Sequence, residues 1–267
     1  MKYLIAFFLV LCCISCDKVI DIKLPAYEPQ LVVEMYLENG KALRCLLTES
    51  LPYTDTTINR PVDRAEVIVS DGTRTYRLQN GLFQDAETGR YYNYFATGIF
   101  RSDTSKTYTL KITDTMNRTL TASTRFSQPL VRIDSIATRA SATKPDSISV
   151  GVRIKDPAES ENYYRFYVSK RLRFNEFDPT DFSLNDVSFN GELFSFYSEP
   201  SYAIKDTVTV RVYSLHKDHY LYRESVREAR RANFNPFSQP GTIKSNVSGG
   251  LGIFTTIRYD QRRIIIQ

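Results

Sequence analysis

The segment LVVEMYL at residues 31–37 places apolar side chains at every second position, and six further short runs repeat this alternation. They are ALRCLLT (42–48), AEVIVS (65–70), RTYRLQ (74–79), YYNYFATG (91–98), TYTLKITD (107–114) and TLTASTRF (119–126). Successive side chains of a strand point to opposite faces, so each run predicts a strand with one buried face. Turn signals separate several of them, namely Asp71-Gly72, Asn80-Gly81 and Thr88-Gly89. The pattern predicts an antiparallel, immunoglobulin-like β-sandwich over residues 30–127.

Alternation resumes after Pro129 and predicts a second β-rich domain over residues 130–267. Its strand-like runs are VRIDSIATRA (131–140), DSISVGVRIKD (146–156), NYYRFYVSKRLRF (162–174) and DTVTVRVYSL (206–215). Residues 218–232 instead carry Tyr222, Val226 and Ala229 at helical spacing, which predicts one helix. The chain is therefore expected to be mainly β, with two domains and one helix.

The N-terminal segment has the features of a secretory signal peptide. Lys2 supplies a positive charge, and residues 3–13 (YLIAFFLVLCC) form an apolar run. A bilayer span needs about 20 apolar residues, whereas a signal core needs about 7–15. The run therefore predicts a signal peptide over residues 1–15. An ordinary cleaved signal and a buried apolar helix are the alternatives to the lipoprotein signal described next.

Ser15 and Cys16 resemble a lipobox, in which a small residue precedes a cysteine that is alkylated by diacylglycerol. Cleavage before Cys16 is expected to leave a lipid-anchored chain whose residues 16–29 form a tether. An anchor of several acyl chains holds a protein stably on a membrane, whereas a single chain does not. Cys45 is then the only unmodified thiol of the mature body. Its place on an alternating apolar face predicts a buried structural cysteine.

Charge and motif content argue against several functions. The net charge of +5 is scattered without a basic stripe, so we expect no nucleic-acid binding. His216 and His219 stand three residues apart at the helix entry, but a metal site needs further ligands, and polar helix-entry residues are the simpler interpretation. The chain has no G-x-S-x-G motif. We therefore expect no enzyme, no cofactor and no metal site.

Two further segments stand out. Residues 249–252 (GGLG) lack the Lys-Ser/Thr of a phosphate-binding loop and are not followed by a helical pattern, so they predict a close backbone approach or a bulge. Residues 175–201 are rich in aromatic side chains and predict a long excursion with at most one hairpin. Such loops on rigid scaffolds often bind, whereas the alternative is a loop folded back over the second sheet. The candidate ligand or partner contacts are Phe177, Phe182, Phe189, Phe194, Phe196 and Tyr197.

Blocks spread over nearly the whole mature chain resemble the Bacteroidota lipoprotein family known as domain of unknown function 4249. They are Cys16 with Ile20, Pro25, LVVE (31–34), AEV (65–67), Tyr76 with Leu78, NYY (162–164), NPF (235–237), SNV (245–247) and GGLGIF (249–254). The last block is the most specific. The order and spacing of the blocks carry the resemblance more than any single one.

The resemblance implies a cellular location and partner proteins more than it implies a catalytic activity. Members of this family look like outer-membrane lipoproteins encoded beside TonB-dependent transporters. It therefore implies a non-enzymatic binding or accessory subunit at the outer membrane, facing the periplasm or the cell surface. A structural or adhesive surface lipoprotein is the alternative.

Short Asp-Ser/Thr sequences also resemble the O-glycan acceptor motif of exported Bacteroidota proteins. The candidate acceptors are Thr56, Thr115, Ser135, Ser147 and Thr207. Strand-entry composition alone also produces such sequences.

Overall fold

The computed structural model describes residues 27–52, 60–170, 180–233 and 241–267. These ranges hold fifteen strands and one helix. The elements are β1 Leu31–Glu38, β2 Arg44–Glu49, β3 Arg60–Pro61, β4 Glu66–Ser70, β5 Thr75–Gln84, β6 Tyr91–Phe95, β7 Thr107–Thr113, β8 Thr119–Arg125, β9 Ile133–Ala140, β10 Ile148–Lys155, β11 Tyr163–Ser169, β12 Asp181–Asn185, β13 Leu193–Tyr197, β14 Thr207–Leu215, α1 Lys217–Asn233 and β15 Leu251–Ile265. The prediction of a mainly β protein with one helix is confirmed.

The first half of the chain wraps one apolar core. Its strands follow the order β1-β2-β6-β5-β4-β7-β8, with antiparallel pairing throughout. The alternate side chains Leu31, Val33, Met35 and Leu37 of β1 are buried in this core, as the sequence pattern predicts. Cys45 is buried among them, and burial raises the pKa of its thiol. The predicted burial of Cys45 is confirmed.

One predicted turn is instead a continuation of a strand. Asn80 and Gly81 lie inside β5, where the register with β6 shifts between Asn80 and Phe83. A Cβ on Gly81 would lie 3.2 Å from Cε1 of Phe95, so the glycine gives this ring room. The turn follows at Asp85–Gly89, where Gly89 adopts a φ of 72°. The Asn-Gly pair therefore marks a bulge.

The second half is layered. Strands β12-β11-β14-β15 form one sheet, and β13-β10-β9 form a second. Apolar side chains of both sheets meet in a second core, which includes Tyr164, Phe166, Val210 and Val152. On the opposite face, α1 places Tyr220 against a smaller cluster of tyrosines and Leu215. The second half is thus a sheet pair with a helix on its outer face.

Strand β15 joins the two halves. Its first part, residues 251–257, pairs in parallel with β1, and residues 258–265 pair antiparallel with β14. The sheet is therefore continuous from β12 to β8. Because β15 pairs with strands of both predicted domains, the limits at 127 and 130 stay a prediction.

The glycines of residues 249–252 permit this junction. A Cβ on Gly249 would lie 2.1 Å from the Thr119 carbonyl oxygen, and one on Gly252 would lie 1.9 Å from that of Val33. Gly252 also has a φ of 122°, which L side chains rarely adopt. The predicted close backbone approach is confirmed.

The membrane-related predictions fall on residues that the structure does not describe. The signal peptide, Cys16 and most of the tether lie before residue 27. Among the described ranges, α1 is the only helix, and it lacks the length and apolar content to cross a bilayer.

Candidate functional site

The aromatic excursion supplies two strands to different sheets. Strand β12 pairs with β11, and β13 pairs with β10, so the two do not form a hairpin with each other. Phe182, Phe194 and Phe196 surround the buried Phe166, with ring centroids 4.8–5.6 Å from it. Phe189 is 7 % exposed and stacks on Phe194 at 4.3 Å. These four phenylalanines therefore pack into the second core.

Tyr197 points the other way. It is 42 % exposed, and the guanidinium of Arg139 lies 4.1 Å from its ring centroid. Its ring also covers Gly151, where an added Cβ would lie 2.6 Å from Cε1. Of the six predicted contacts, Tyr197 is the most exposed one described, and Phe177 lies outside the described residues. Binding by this group stays a prediction.

The two histidines serve the packing of α1. Nε2 of His216 lies 2.8 Å from the carbonyl oxygen of Arg125 and 3.1 Å from Oγ1 of Thr256. His219 is 3 % exposed, and its ring lies 5.3 Å from that of Tyr36. Burial lowers the pKa of His219 well below its ordinary value, and nearby arginines add to the effect. No cluster of three or more potential metal ligands occurs among the residues that the structure describes.

A cleft of about 270 Å³ lies where β15 leaves β1. Its walls come from the end of β1, the β6–β7 loop, the segment after β8 and the middle of β15. The lining residues are Glu38, Asn39, Ser102, Thr104, Phe126, Leu130, Ile257, Arg258 and Tyr259. Pockets for small ligands form preferentially at the junction of two structural units, with an apolar lining and a few polar groups. This cleft is the candidate binding site.

The polar side of the cleft is held by a buried charge network. Tyr259 donates its phenolic hydrogen to Oε1 of Glu38 at 2.9 Å, and Nη2 of Arg44 donates to Oε2 of Glu38 at 2.9 Å. Oδ2 of Asp85 lies 3.1 Å from the same Arg44 nitrogen. Burial raises the pKa of Tyr259, and the charge of Glu38 raises it further. The phenol therefore stays protonated and donates to the carboxylate.

A second set of contacts braces the same junction. Glu87, at the β5–β6 turn, accepts a hydrogen bond from Nζ of Lys41 at 2.8 Å. Its carboxylate also contacts the guanidinium of Arg211 on β14. Arg211 in turn lies over the ring of Tyr259, 4.6 Å from its centroid. Hydrogen bonds and both cations hold the pKa of Glu87 below its ordinary range although burial opposes this. The turn thus ties the first half to β14.

Arg258 is the charged side chain of the cleft that has no carboxylate partner in the described chain. Its Nη1 donates to the carbonyl oxygen of Gln128 at 2.7 Å. A guanidinium has five N–H donors, and a carbonyl does not neutralise its charge. Ser102, Thr104 and Asn39 add hydroxyl and amide groups, while Phe126, Leu130 and Ile257 add apolar surface. The cleft therefore suits a carboxylate next to apolar groups.

The possible glycan acceptors occupy different environments. Thr115 is exposed in the β7–β8 turn, and Thr207 is exposed at the start of β14. Ser135 and Ser147 are partly buried, and Thr56 lies outside the described residues. Modification of these sites stays a prediction.

Sequence patterns gave no sign of the cleft. Its residues come from four segments that meet only because β15 changes partner. Glu34 and Glu38 lie on the face of β1 opposite its apolar side chains, and acidic residues at such positions ordinarily indicate a face in contact with solvent. In the structure this face instead meets protein at Glu38, which is only 9 % exposed.

The fold and its junction define a mainly β protein whose two halves share one long strand and enclose a small cleft there. The chain belongs to the family described as Domain of unknown function (DUF4249), whose sequence pattern matches residues 17–263. The resemblance found in the sequence is thereby confirmed. No curated protein matches the chain.

Proposed function

We propose that this protein is a lipid-anchored, non-enzymatic binding or accessory subunit of the outer membrane that works with a TonB-dependent transporter. The observation that carries the proposal is the apolar leader that ends in Ser15-Cys16, ahead of a body that belongs to this family. The lipid would hold the body at the membrane surface, and residues 17–29 would set its distance from the bilayer.

The architecture supports a role in binding. Strand β15 and the contacts of Glu87 with Lys41 and Arg211 couple the two halves into one scaffold. A rigid scaffold presents its loops and clefts at low entropic cost, which favours binding. The cleft at the junction offers an apolar wall and an arginine that has no carboxylate partner among the described residues.

The anchor is tested by replacing Cys16. In the native host, Cys16→Ala is expected to abolish incorporation of labelled fatty acid and to leave the leader attached. The matched control is Cys45→Ser, which removes the buried thiol and should leave acylation unchanged, because Cys45 lies inside the first core. Mass spectrometry of an N-terminal peptide from the wild type, showing an unacylated Cys16, would refute the anchor.

The partner is tested by purification from native membranes. Mild detergent and a C-terminal affinity tag should recover a TonB-dependent transporter with the wild-type protein. The control is an unrelated outer-membrane lipoprotein with the same tag. Recovery of no transporter, together with adhesion of the wild type to matrix or cells, would instead favour the structural or adhesive alternative.

A further inference from the structure

The second part of β15 has one edge with which no described strand pairs. Along the first part of β15, the backbone N–H and C=O groups of the odd-numbered residues point toward β1. Those of the even-numbered residues point the opposite way, because the N–H and C=O of Phe254 bond to the side chain of Asn246. After Ile257, β1 ends, whereas β14 continues to pair with the opposite edge up to Ile265. The N–H of Ile266 bonds to the carbonyl oxygen of Asp206, which directly precedes β14. The backbone groups of the even-numbered residues therefore point toward β14.

The outward backbone groups are therefore those of Tyr259, Gln261, Arg263 and Ile265. The N–H of Gln261 bonds only to the neighbouring carboxylate of Asp260, at 3.1 Å, within the described chain. No described strand pairs with this edge. Exposure agrees, because Gly252–Thr256 is buried, whereas Gln261–Arg263 is exposed. An unpaired edge of this length is a template for another strand.

The net charge of this edge is positive. Residues 258–267 contain three arginines and one aspartate. Arg258 donates to the carbonyl of Gln128, and Arg262 donates to the carbonyls of Ile133 and Asp134. Carbonyl oxygens bind these guanidinium groups without cancelling their charge. Arginines also guard natural edges against aggregation, which is the simpler explanation that the experiment below must exclude.

The cleft opens at the start of the same edge. Arg258 and Tyr259 both line it and are the first residues of β15 beyond the end of β1. At the other end of the edge, Ile265 is 65 % exposed. The edge therefore offers a carboxylate site at Arg258, a row of backbone donors and acceptors, and an exposed apolar side chain.

We propose that an extended acidic peptide segment of a partner protein adds as a strand to residues 259–265, with one glutamate or aspartate side chain in the cleft at Arg258. Main-chain hydrogen bonds along the edge would supply affinity, and the cleft would supply selectivity for the acidic side chain. This inference goes beyond the proposed function and does not require the lipid anchor or the transporter to be right.

The test uses the full mature chain in detergent micelles and a fluorescent peptide of alternating glutamate and valine, blocked at both ends. Fluorescence anisotropy is expected to show binding that weakens with salt. Hydrogen exchange should show protection of residues 258–265 and, beyond them, only of the segments that line the cleft. The matched peptide of glutamine and valine should bind at least about tenfold more weakly, since it lacks the charge-assisted bonds.

Two substitutions of Arg263 distinguish the contribution of the backbone hydrogen bonds to binding from the contribution of the side-chain charge. Arg263→Pro removes an outward N–H, which a strand edge tolerates, and should abolish binding. Arg263→Gln removes only the charge and should weaken binding a few-fold. Arg258→Gln should weaken binding of the acidic peptide about tenfold and leave that of the glutamine peptide unchanged. Ile265→Pro replaces Arg263→Pro if the latter lowers the unfolding midpoint.

Several outcomes would overturn the proposal. Equal binding by Arg263→Pro and Arg263→Gln would exclude strand addition. Equal affinity for the two peptides would exclude a contribution of the glutamate charges to binding. Protection that spares residues 258–265 would place the peptide elsewhere. A protein that dimerises through this edge, with the dimer abolished by Arg263→Pro, would show that a second copy of the chain is the occupant.

Discussion

The phenol of Tyr259 donates a hydrogen bond to Glu38 across 2.9 Å and so joins residues 221 positions apart in the chain. The same carboxylate binds Arg44, which also contacts Asp85 of the β5–β6 turn. Glu38 therefore links the end of β1, the middle of β15 and a turn of the first half. The junction between the halves therefore contains a buried carboxylate. Removing the charge of Glu38 should change the free energy of unfolding by a measurable amount.

Glu38→Gln is expected to lower the free energy of unfolding by about 2 kcal/mol, because Arg44 loses one of two buried anionic partners. Urea denaturation measures the change. The matched control is Glu66→Gln, whose ion pair with Arg77 is largely exposed and should contribute less than about 0.5 kcal/mol. Equal effects of the two substitutions would show that the buried network does not hold the junction.

Gly252→Ala is expected to destabilise the protein by about 3 kcal/mol or more, because the added methyl group would overlap the Val33 carbonyl and separate β1 from β15. Gly98→Ala is the control, since Gly98 also has a positive φ but nothing lies within 4 Å of its added Cβ. Only backbone strain of about 1 kcal/mol is expected there. Thermal unfolding of both variants checks the difference, and similar melting temperatures would contradict it.

Acidification should weaken the fold through His219. Its pKa is lowered in the folded protein, so the unfolded chain takes up the proton first when the pH falls below about 6.5. Stability is therefore full above that pH and declines by up to about 1.4 kcal/mol per pH unit below it. His219→Phe should make the decline shallower.

His216→Gln is the comparison for this pH dependence. The pKa of His216 is also lowered by burial, although its hydrogen bond to Arg125 opposes the shift. Urea midpoints between pH 7 and pH 5 should depend less steeply on pH in either variant than in the wild type, with the larger change in His219→Phe. A wild-type midpoint independent of pH in this range would refute the argument.

Phe196→Ala is expected to lower the free energy of unfolding by about 3 kcal/mol, because the ring packs against Phe166 and Phe182 in the second core. Tyr197→Ala, one residue along the same strand, should lower it by about 1 kcal/mol, since it loses an exposed ring and its contact with Arg139. If Phe196→Ala leaves stability intact, the aromatic group would be a binding surface instead of core.

Period-two alternation predicted most strands because one face of each is buried in its own half. β1 shows this directly, with Leu31, Val33, Met35 and Leu37 in the core. The helix was predicted for residues 218–232 and spans Lys217–Asn233. Both patterns are local, so neighbouring residues suffice to reveal them.

Pairing between strands that are distant in the chain is not indicated by any comparable local sequence pattern. Nothing in residues 251–265 indicates that one strand should pair in parallel with β1 and then antiparallel with β14, and the register follows from packing of the whole chain. The aromatic segment illustrates a second limit. Phe194 and Tyr197 are both aromatic residues of β13, but the first packs against the second core and the second is 42 % exposed.

The long strand β15 also sets the order in which the molecule can be assembled. β1 must wait for a neighbour that is synthesised roughly two hundred residues later, so closing the central sheet is a non-local and slow event. An emerging chain would expose the unpaired side of β1 throughout that interval. The two halves can therefore join only after residues 251–265 have been synthesised, which is close to the end of the printed sequence.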